Sequence, residues 1–212
     1  MTFQRLIGLV PIIAVLASMA APVSAGNAEP MAVIKAPIDA VIAILNDPRY
    51  MAAETKSTQR KEIWKVVNPM FDFQEISRRS VARHWNGFSD AEKAEFTDVF
   101  AQFLGNTYID KIQGEYHNEQ VIYVDQMLHN DDYAEVRTQL VRETIEIPVN
   151  YRMLKDQNGQ WKVYDIIVEG VSLVKNYRTQ FADILKKETP AQLIQRLNQK
   201  LQEQSKHLVD NG

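Results

Sequence analysis

The sequence predicts an α+β protein in which helices come first, four antiparallel strands follow, and two helices close the chain. Apolar residues recur at helical spacing up to residue 112 and again after residue 172. Between residues 121 and 168 the apolar residues instead alternate with polar ones, as in half-buried strands. The connections between these strands are short, which makes neighbouring strands antiparallel. We therefore expect helices packed on one face of the sheet.

Residues 1–25 have the pattern of a secretory signal peptide. Arg5 supplies a positive charge, Leu6–Ala20 is apolar and uncharged, and Val23–Ala25 is a small-residue cleavage site. The apolar run is shorter than the roughly 20 residues of a membrane-spanning helix, so we expect cleavage, with an uncleaved anchor as the alternative. The chain has no Cys, which excludes a lipoprotein with an acylated Cys and any disulfide.

The rest of the chain is expected to form a single domain. We predict a flexible mature N-terminus at residues 26–36, one domain at residues 37–204 and a flexible tail at residues 205–212. Gly and Pro are sparse, at eight each, so no long linker divides the chain. The formal net charge is −3, which gives no support to nucleic-acid binding.

Four helices are predicted before the strands, over residues 37–45, 56–67, 71–85 and 89–112. The last of these begins with a capping box, in which Ser89 and Glu92 each satisfy a free amide of the first turn. Its apolar stripe is wide and aromatic, with Phe96, Val99, Phe100, Phe103, Leu104, Tyr108 and Ile112. After the strands, Ser172 is the expected N-cap of a fifth helix. Thr189–Gln192 is a second capping box, with Pro190 at the first helical position.

The strands are predicted over residues 121–128, 134–141, 147–154 and 161–168. Asn130–Asp132 and Asp156–Gly159 are hairpin turns, since Asn and Gly tolerate positive φ. Alternation places Ile147, Val149, Tyr151 and Met153 on one face of the third strand. By the same rule Tyr164, Ile166 and Val168 share one face of the fourth.

We predict no catalytic residues and no metal ligands. The chain has four His and none stands in a metal-binding spacing, while the nucleophile-elbow, phosphate-loop and dinucleotide motifs do not occur. Asp165, on an otherwise apolar strand, could serve as a general base with a raised pKa. The sequence favours a structural acid, hydrogen-bonded or paired with Arg178 on the following helix. The basic run Arg78, Arg79 and Arg83 is either a solvated face or a surface for an acidic partner or a lipid phosphate.

Three stretches near the C-terminal end of the sheet resemble the most recognisable block of one family. They are Trp161–Asp165, Val168–Leu173 and Asn176–Phe181. The family is that of the periplasmic phospholipid-binding proteins of the Mla (toluene-tolerance) ABC-transport system, or MlaC. Weaker likeness over roughly residues 30–203 includes Phe71–Trp85, Phe96–Tyr108 and Pro148–Arg152.

The resemblance implies a nuclear-transport-factor-like sheet whose helices enclose a deep apolar lipid pocket. It implies a soluble periplasmic carrier that shuttles phospholipid between an outer-membrane lipoprotein complex and an inner-membrane ABC transporter with its lipid-binding ring protein. Such a carrier is expected to be a monomer without a cofactor, holding phospholipid as cargo. Alternatives are a carrier of another polar lipid such as a hopanoid, a periplasmic interaction protein with a filled core, and an enzyme with Asp165 as base.

The alternation and the helical stripes together predict which side chains line the pocket, although each could equally be plain core. On the sheet we expect Val149, Tyr151, Tyr164, Ile166 and Val168. On the helical side we expect Phe100, Leu104, Tyr108, Val171, Val174 and Tyr177.

Overall fold

The computed structural model describes residues 28–210. In this part of the chain, four α-helices come first, five strands follow and two α-helices end the fold. The predicted signal peptide lies outside the described residues. The helices are α1 (Pro30–Leu45), α2 (Lys56–Val67), α3 (Phe73–Val81), α4 (Asp90–Glu115), α5 (Leu173–Leu185) and α6 (Pro190–Asp210). The strands are β1 (Gln120–Leu128), β2 (Tyr133–Arg142), β3 (Ile145–Lys155), β4 (Trp161–Val168) and β5 (Val171–Ser172).

All five strands form one antiparallel sheet in the order β1-β2-β3-β4-β5. The α+β class is confirmed, and the predicted count of four strands is wrong by one. The missed strand, β5, follows a tight turn at Glu169 and Gly170, both with positive φ. It has only two residues, too few to show any alternation in the sequence.

The predicted helices are confirmed in order, with three changes of boundary. α1 begins at Pro30, so residues 30–36, predicted to be flexible, are helical, and α1 continues through Pro37. The reason is tertiary, because Ile34 in this first half is fully buried against the sheet. The predicted helix at 71–85 is interrupted at Ala82, whose φ of 47° and ψ of −120° are not helical. α6 runs on to Asp210, past the domain end that we expected at residue 204.

Both predicted capping boxes are present. The Ser89 hydroxyl accepts a hydrogen bond from the Glu92 amide, and the Glu92 carboxylate accepts one from the Ser89 amide at 2.8 Å. Thr189 and Gln192 repeat the arrangement before α6. These side chains satisfy amides that have no partner within the helix, which fixes where α4 and α6 begin.

A β-bulge in β4 overturns one predicted face. Tyr151 pairs with Ile166 and Met153 pairs with Val163, so one extra residue of β4 stands opposite β3. A bulge shifts the alternation of side chains by one position. Tyr164 therefore points away from Ile166 and Val168, and its ring contacts that of Tyr133 instead. The prediction that these three β4 residues share a face is wrong for Tyr164.

The apolar interior is divided into three clusters of buried residues. The helical cluster joins α3, α4, α5 and α6 around stacked rings such as Phe96 and Phe100. The sheet cluster packs Ile34 of α1 against β2, β3 and β4. The third cluster lies between α1, α2 and α4 around Ile63 and Ile109. The site described below lies where these clusters meet.

Candidate functional site

Half-buried apolar side chains mark the meeting of the three clusters. Phe71 packs against both the helical and the sheet clusters, and Val67 against both the sheet and the third clusters. Trp64 packs against the third cluster, and its ring centroid lies 5.7 Å from that of Phe73, which packs against the helical cluster. We call Trp64, Val67, Phe71 and Phe73 the junction. Side chains that join separate clusters while keeping exposed surface are suited to contact an apolar guest.

The junction is held in place by the segment between α2 and α3. Phe71 forms a parallel bridge with Val163 of β4, and the Asp72 amide donates to the Val163 carbonyl at 2.9 Å. The Asp72 carboxylate accepts from the Glu75 amide at 2.8 Å and so caps α3. Because Asp72 is fixed on both sides, the rings of Phe71 and Phe73 stay 5.4 Å apart at the edge of the sheet.

On the sheet side, a row of apolar residues leads from the sheet cluster towards solvent. Tyr151 and Ile166 are paired across β3 and β4, and both are half-buried against the sheet cluster. Val149 and Val168 form the next pair on this face, and Val168 is 41% exposed. Burial raises the pKa of Tyr151 to about 12, partly offset by a hydrogen bond with Thr138.

On the helical side, aromatic rings form a rigid wall. Tyr177 of α5 lies edge-on to Phe100 at 5.0 Å and to Phe103 at 6.2 Å between ring centroids. Burial raises the pKa of Tyr177, and its hydrogen bond with Tyr108 acts in the same direction. Tyr108 itself is 36% exposed, so the wall ends in a hydroxyl pair beside solvent.

The structure separates the predicted lining residues into four groups. Val149, Tyr151, Ile166 and Val168 share one face of the sheet. Others are fully packed within the helical cluster, namely Phe100, Leu104, Val174 and Tyr177. Tyr108 and Val171 are exposed. Tyr164 lies on the opposite face of the sheet, with the Arg79 guanidinium 4.1 Å above its ring.

The lining residues predicted from the sequence do not include the four junction residues. The segment that carries them, from Trp64 to Phe73, is rich in aromatic and aliphatic residues, which is the only signal that the sequence offers. Helical spacing cannot identify them, because Val67, Phe71 and Phe73 stand where one helix ends and the next begins.

The described part of the chain also forms at least two surface cavities. One of about 180 Å³ lies between α2 and α4 and is lined by Arg60, Lys61, Trp64, Gln102, Gly105, Asn106 and Ile109. We call it the hollow. The other, of about 390 Å³, lies on α6 beside Glu188 and Arg196 and is largely polar. Neither is lined by the side chains predicted from the sequence, and only the hollow touches the junction, through Trp64.

The sequence profile of the MlaC protein family matches residues 35–199, which include both strands and helices of the site. The chain belongs to the MlaC protein family. This confirms the resemblance noted in the sequence.

Individual relatives agree with this assignment. The chain is 21% identical over 160 residues to the intermembrane phospholipid transport system binding protein MlaC of Haemophilus influenzae, covering 74% of this chain and 71% of that protein. It is 27% identical over 130 residues to the toluene tolerance protein Ttg2D of Pseudomonas putida, covering 58% of this chain and 57% of that protein. A solved structure, the phospholipid-binding protein from Ralstonia solanacearum in complex with a phospholipid, matches with a TM-score of 0.71 and 26% identity. That match covers 84% of this chain and 99% of the other.

Asp165 is held as a structural acid in this MlaC-family fold. Its carboxylate accepts hydrogen bonds from the Ser172 hydroxyl at 2.7 Å and from the Val174 amide at 3.0 Å. Arg152 lies 3.6 Å away. The predicted pairing with Arg178 is wrong, because Arg178 donates to the Arg79 carbonyl at 2.8 Å. Because both carboxylate oxygens accept hydrogen bonds at the start of α5, Asp165 links β4 to that helix.

The basic run on α3 is largely paired. Arg78 and Arg79 both donate to Glu75 at 2.6 Å. Burial alone would raise the pKa of Glu75, but these two guanidinium groups outweigh it and hold that pKa below its ordinary value. Arg83 is exposed. The charges of Arg78 and Arg79 are therefore partly compensated within the protein.

Among residues 28–206, whose side chains the structure describes, no cluster of His, Asp and Glu has the arrangement of a metal site. Across the same part of the chain, each helix is too short or too polar to cross a bilayer.

Proposed function

We propose that this chain is a periplasmic carrier that binds the acyl chains of a phospholipid between the sheet and the helices. The observation that supports this most strongly is the match to the Ralstonia protein in complex with a phospholipid, which spans nearly all of that chain. The junction and the row from Tyr151 to Val168 supply apolar surface in the corresponding kind of fold.

The hydrophobic effect explains what such a carrier must do. Two sixteen-carbon tails contain about 30 methylenes, and exposing them to water costs roughly 24 kcal/mol at about 0.8 kcal/mol each. The carrier must therefore cover nearly the whole length of each tail. One leaflet of hydrocarbon is roughly 15 Å deep, half of the bilayer core, and the binding surface must be of similar length.

The division of the core offers a place for these tails. A protein interior is close-packed, so a guest cannot enter a cluster without breaking its contacts. Between clusters, half-buried side chains such as Phe71 and Tyr151 can exchange their exposed surface for contact with the guest. Transfer from a membrane to such a surface exchanges one apolar medium for another, so this step needs no nucleotide.

We further propose the path of transport. After cleavage of the signal peptide, the carrier moves as a monomer between an outer-membrane lipoprotein complex and an inner-membrane ABC transporter with its lipid-binding ring protein. It acts by binding and release and not as an enzyme. The names of the relatives support transport within the Mla system. The Asp165 carboxylate accepts hydrogen bonds from Ser172 and Val174, which supports a structural role for the acid that the sequence offers as a candidate base.

Native mass spectrometry of residues 26–212, exported and purified without detergent, tests the proposal. We expect an added mass that matches phospholipid, identified after extraction. An extracted hopanoid would replace the phospholipid in the proposal while leaving the carrier role. A protein that is free of lipid and remains so after incubation with phospholipid vesicles would refute the carrier role.

Transport between complexes needs a separate assay. Purified carrier should move labelled phospholipid from vesicles containing one complex to vesicles containing the other, and the rate should rise with carrier concentration. Movement at the same rate without the complexes would contradict a specific role for them.

A further inference from the structure

Trp64 is the one junction residue that also lines the hollow. It lies on α2, half-buried, and faces Gly105 of α4. A Cβ atom added at Gly105 would lie 2.5 Å from Cζ3 and 2.9 Å from Cε3 of the indole. Such a short distance is not tolerated between carbon atoms, so only glycine lets the indole lie this close to α4. Helix α4 therefore fixes the position of the indole from one side.

The indole borders two places. It lines the hollow, together with Arg60 and Ile109, and this space has a volume of about 180 Å³. It also contacts Phe73, which in turn contacts Phe71. The indole is thus shared by the hollow and the junction.

We propose that Trp64 is the end wall of the acyl-chain surface and sets the length of chain that the carrier accepts. The inference rests on the proposed function. A tail that advances along the junction reaches Phe73 and then the indole, which contacts Gly105 and leaves no space to pass. A longer tail must leave its extra methylenes in water, and each one exposed lowers the affinity about fourfold.

The size of the hollow gives the expected change when the wall is removed. A cavity of about 150 Å³ holds a benzene molecule, so the hollow, at about 180 Å³, has room for about six carbon atoms. Trp64→Ala joins this space to the junction. We expect the preferred acyl chain to lengthen by up to about six carbons.

Gly105→Ala perturbs the same wall in the opposite direction. The new methyl group displaces the indole from α4, and the indole also contacts Phe73 of the junction. The surface available to the tail then becomes shorter, and we expect preference for shorter chains. The two substitutions change different helices and predict opposite shifts, which a general loosening of the fold does not produce.

The experiment is a competition among phosphatidylglycerols that differ only in acyl-chain length, from dodecanoyl to docosanoyl. Residues 26–212 are incubated with an equimolar mixture, and native mass spectrometry gives the occupancy for each chain length. Trp64→Phe retains an aromatic wall and should keep a maximum close to that of the wild type. Trp85→Ala is the matched control, because Trp85 packs on the helical cluster beside Phe88 and away from the hollow.

The inference is overturned if Trp64→Ala and Gly105→Ala both keep the wild-type maximum, or if Trp85→Ala shifts it as far as Trp64→Ala does. If Trp64→Ala does not fold by circular dichroism, Gly105→Ala alone decides, and an unchanged maximum then overturns the inference. Wild-type protein that binds no member of the series refutes the proposed function itself, which distinguishes the two failures.

Discussion

Replacement of Asp165 by Ala should destabilise the fold without abolishing lipid binding. The carboxylate is 5% exposed and accepts from the Val174 amide and the Ser172 hydroxyl. Its removal leaves the buried Val174 amide unpaired, which costs about 1–3 kcal/mol. It also removes a negative charge from the start of α5, worth about 0.3–1 kcal/mol. The Ser172 hydroxyl can rotate, and Arg152 keeps Glu135 at 3.7 Å, so neither adds a large cost.

These contributions sum to a loss of about 1.3–4 kcal/mol in the free energy of unfolding. For a domain of this size, 1 kcal/mol shifts Tm by roughly 2–4 °C, so we expect a decrease of about 3–16 °C. Asp165→Asn retains one acceptor and should lose about half as much. Urea unfolding measures the free energies directly, and lipid occupancy of the folded fraction is measured in parallel by mass spectrometry.

A double-mutant cycle with Ser172→Ala isolates the shared hydrogen bond. Because the two side chains are in contact, the effects should fail to add by about 0.5–3 kcal/mol. A decrease in Tm below about 2 °C for Asp165→Ala, or strict additivity with Ser172→Ala, would refute the structural assignment. If the protein has an enzymatic turnover that Asp165→Asn abolishes while stability is unchanged, Asp165 would instead be a catalytic base.

Three further outcomes are expected. Val149→Trp should reduce lipid occupancy at least about tenfold, because the larger side chain fills the sheet face. Ile122→Trp, on the opposite and exposed face of the sheet, should leave lipid occupancy unchanged. Full occupancy in Val149→Trp would remove Val149 from the site. Tyr151 has a folded-state pKa of about 12 against an ordinary 10.0, so its contribution to stability is complete below pH 10 and is lost as the pH rises to 12. Tyr151→Phe should therefore lose less stability than the wild type over this range, and equal losses would contradict the assignment. Ser80→Ala should raise stability by about 1 kcal/mol, because the fully buried Ser80 hydroxyl has no partner within the described chain; a decrease in Tm would show that this hydroxyl is hydrogen-bonded.

Local signals predicted most of the secondary structure. The Ser89 and Thr189 capping boxes depend on residues three apart, and the turn at Asp156–Gly159 depends on the φ preferences of a few residues. Such signals do not require knowledge of distant contacts. For this reason the order of elements and most boundaries of the helices and strands are predicted closely.

The incorrect predictions concern strand faces, ion-pair partners and helix boundaries that depend on contacts between residues far apart in the sequence. β4 is apolar at most positions, so alternation alone cannot show where a residue is inserted, and Tyr164 was placed on the wrong face. Arg178 lies at a reasonable spacing from Asp165, but Arg152 on the neighbouring strand is closer. α1 extends to Pro30 because Ile34 meets the sheet, a contact made with residues about a hundred positions away.

Alternation predicts the sheet face of the candidate site. Val149, Tyr151, Ile166 and Val168 share one face because a strand with correct register places alternate residues together. The predicted lining does not include the junction, because its residues are defined by the meeting of three clusters. Phe100 and Val174, which the sequence predicts to line the pocket, are packed within the helical cluster, and their role in the lining stays a prediction, since an apolar helical stripe has the same sequence pattern in a core and in a pocket wall.

The division of the interior also has a consequence for how this protein can diversify. A substitution at the centre of a cluster, such as Phe96 or Val136, opens a cavity and costs about 3–5 kcal/mol for the larger side chain. Half-buried side chains at the boundaries between the clusters can be replaced by larger or smaller ones with a smaller loss of stability, because they are not enclosed on every side. For the proposed carrier, changes at Trp64 or Phe71 can therefore alter the shape of the accepted lipid while the surrounding clusters preserve the architecture.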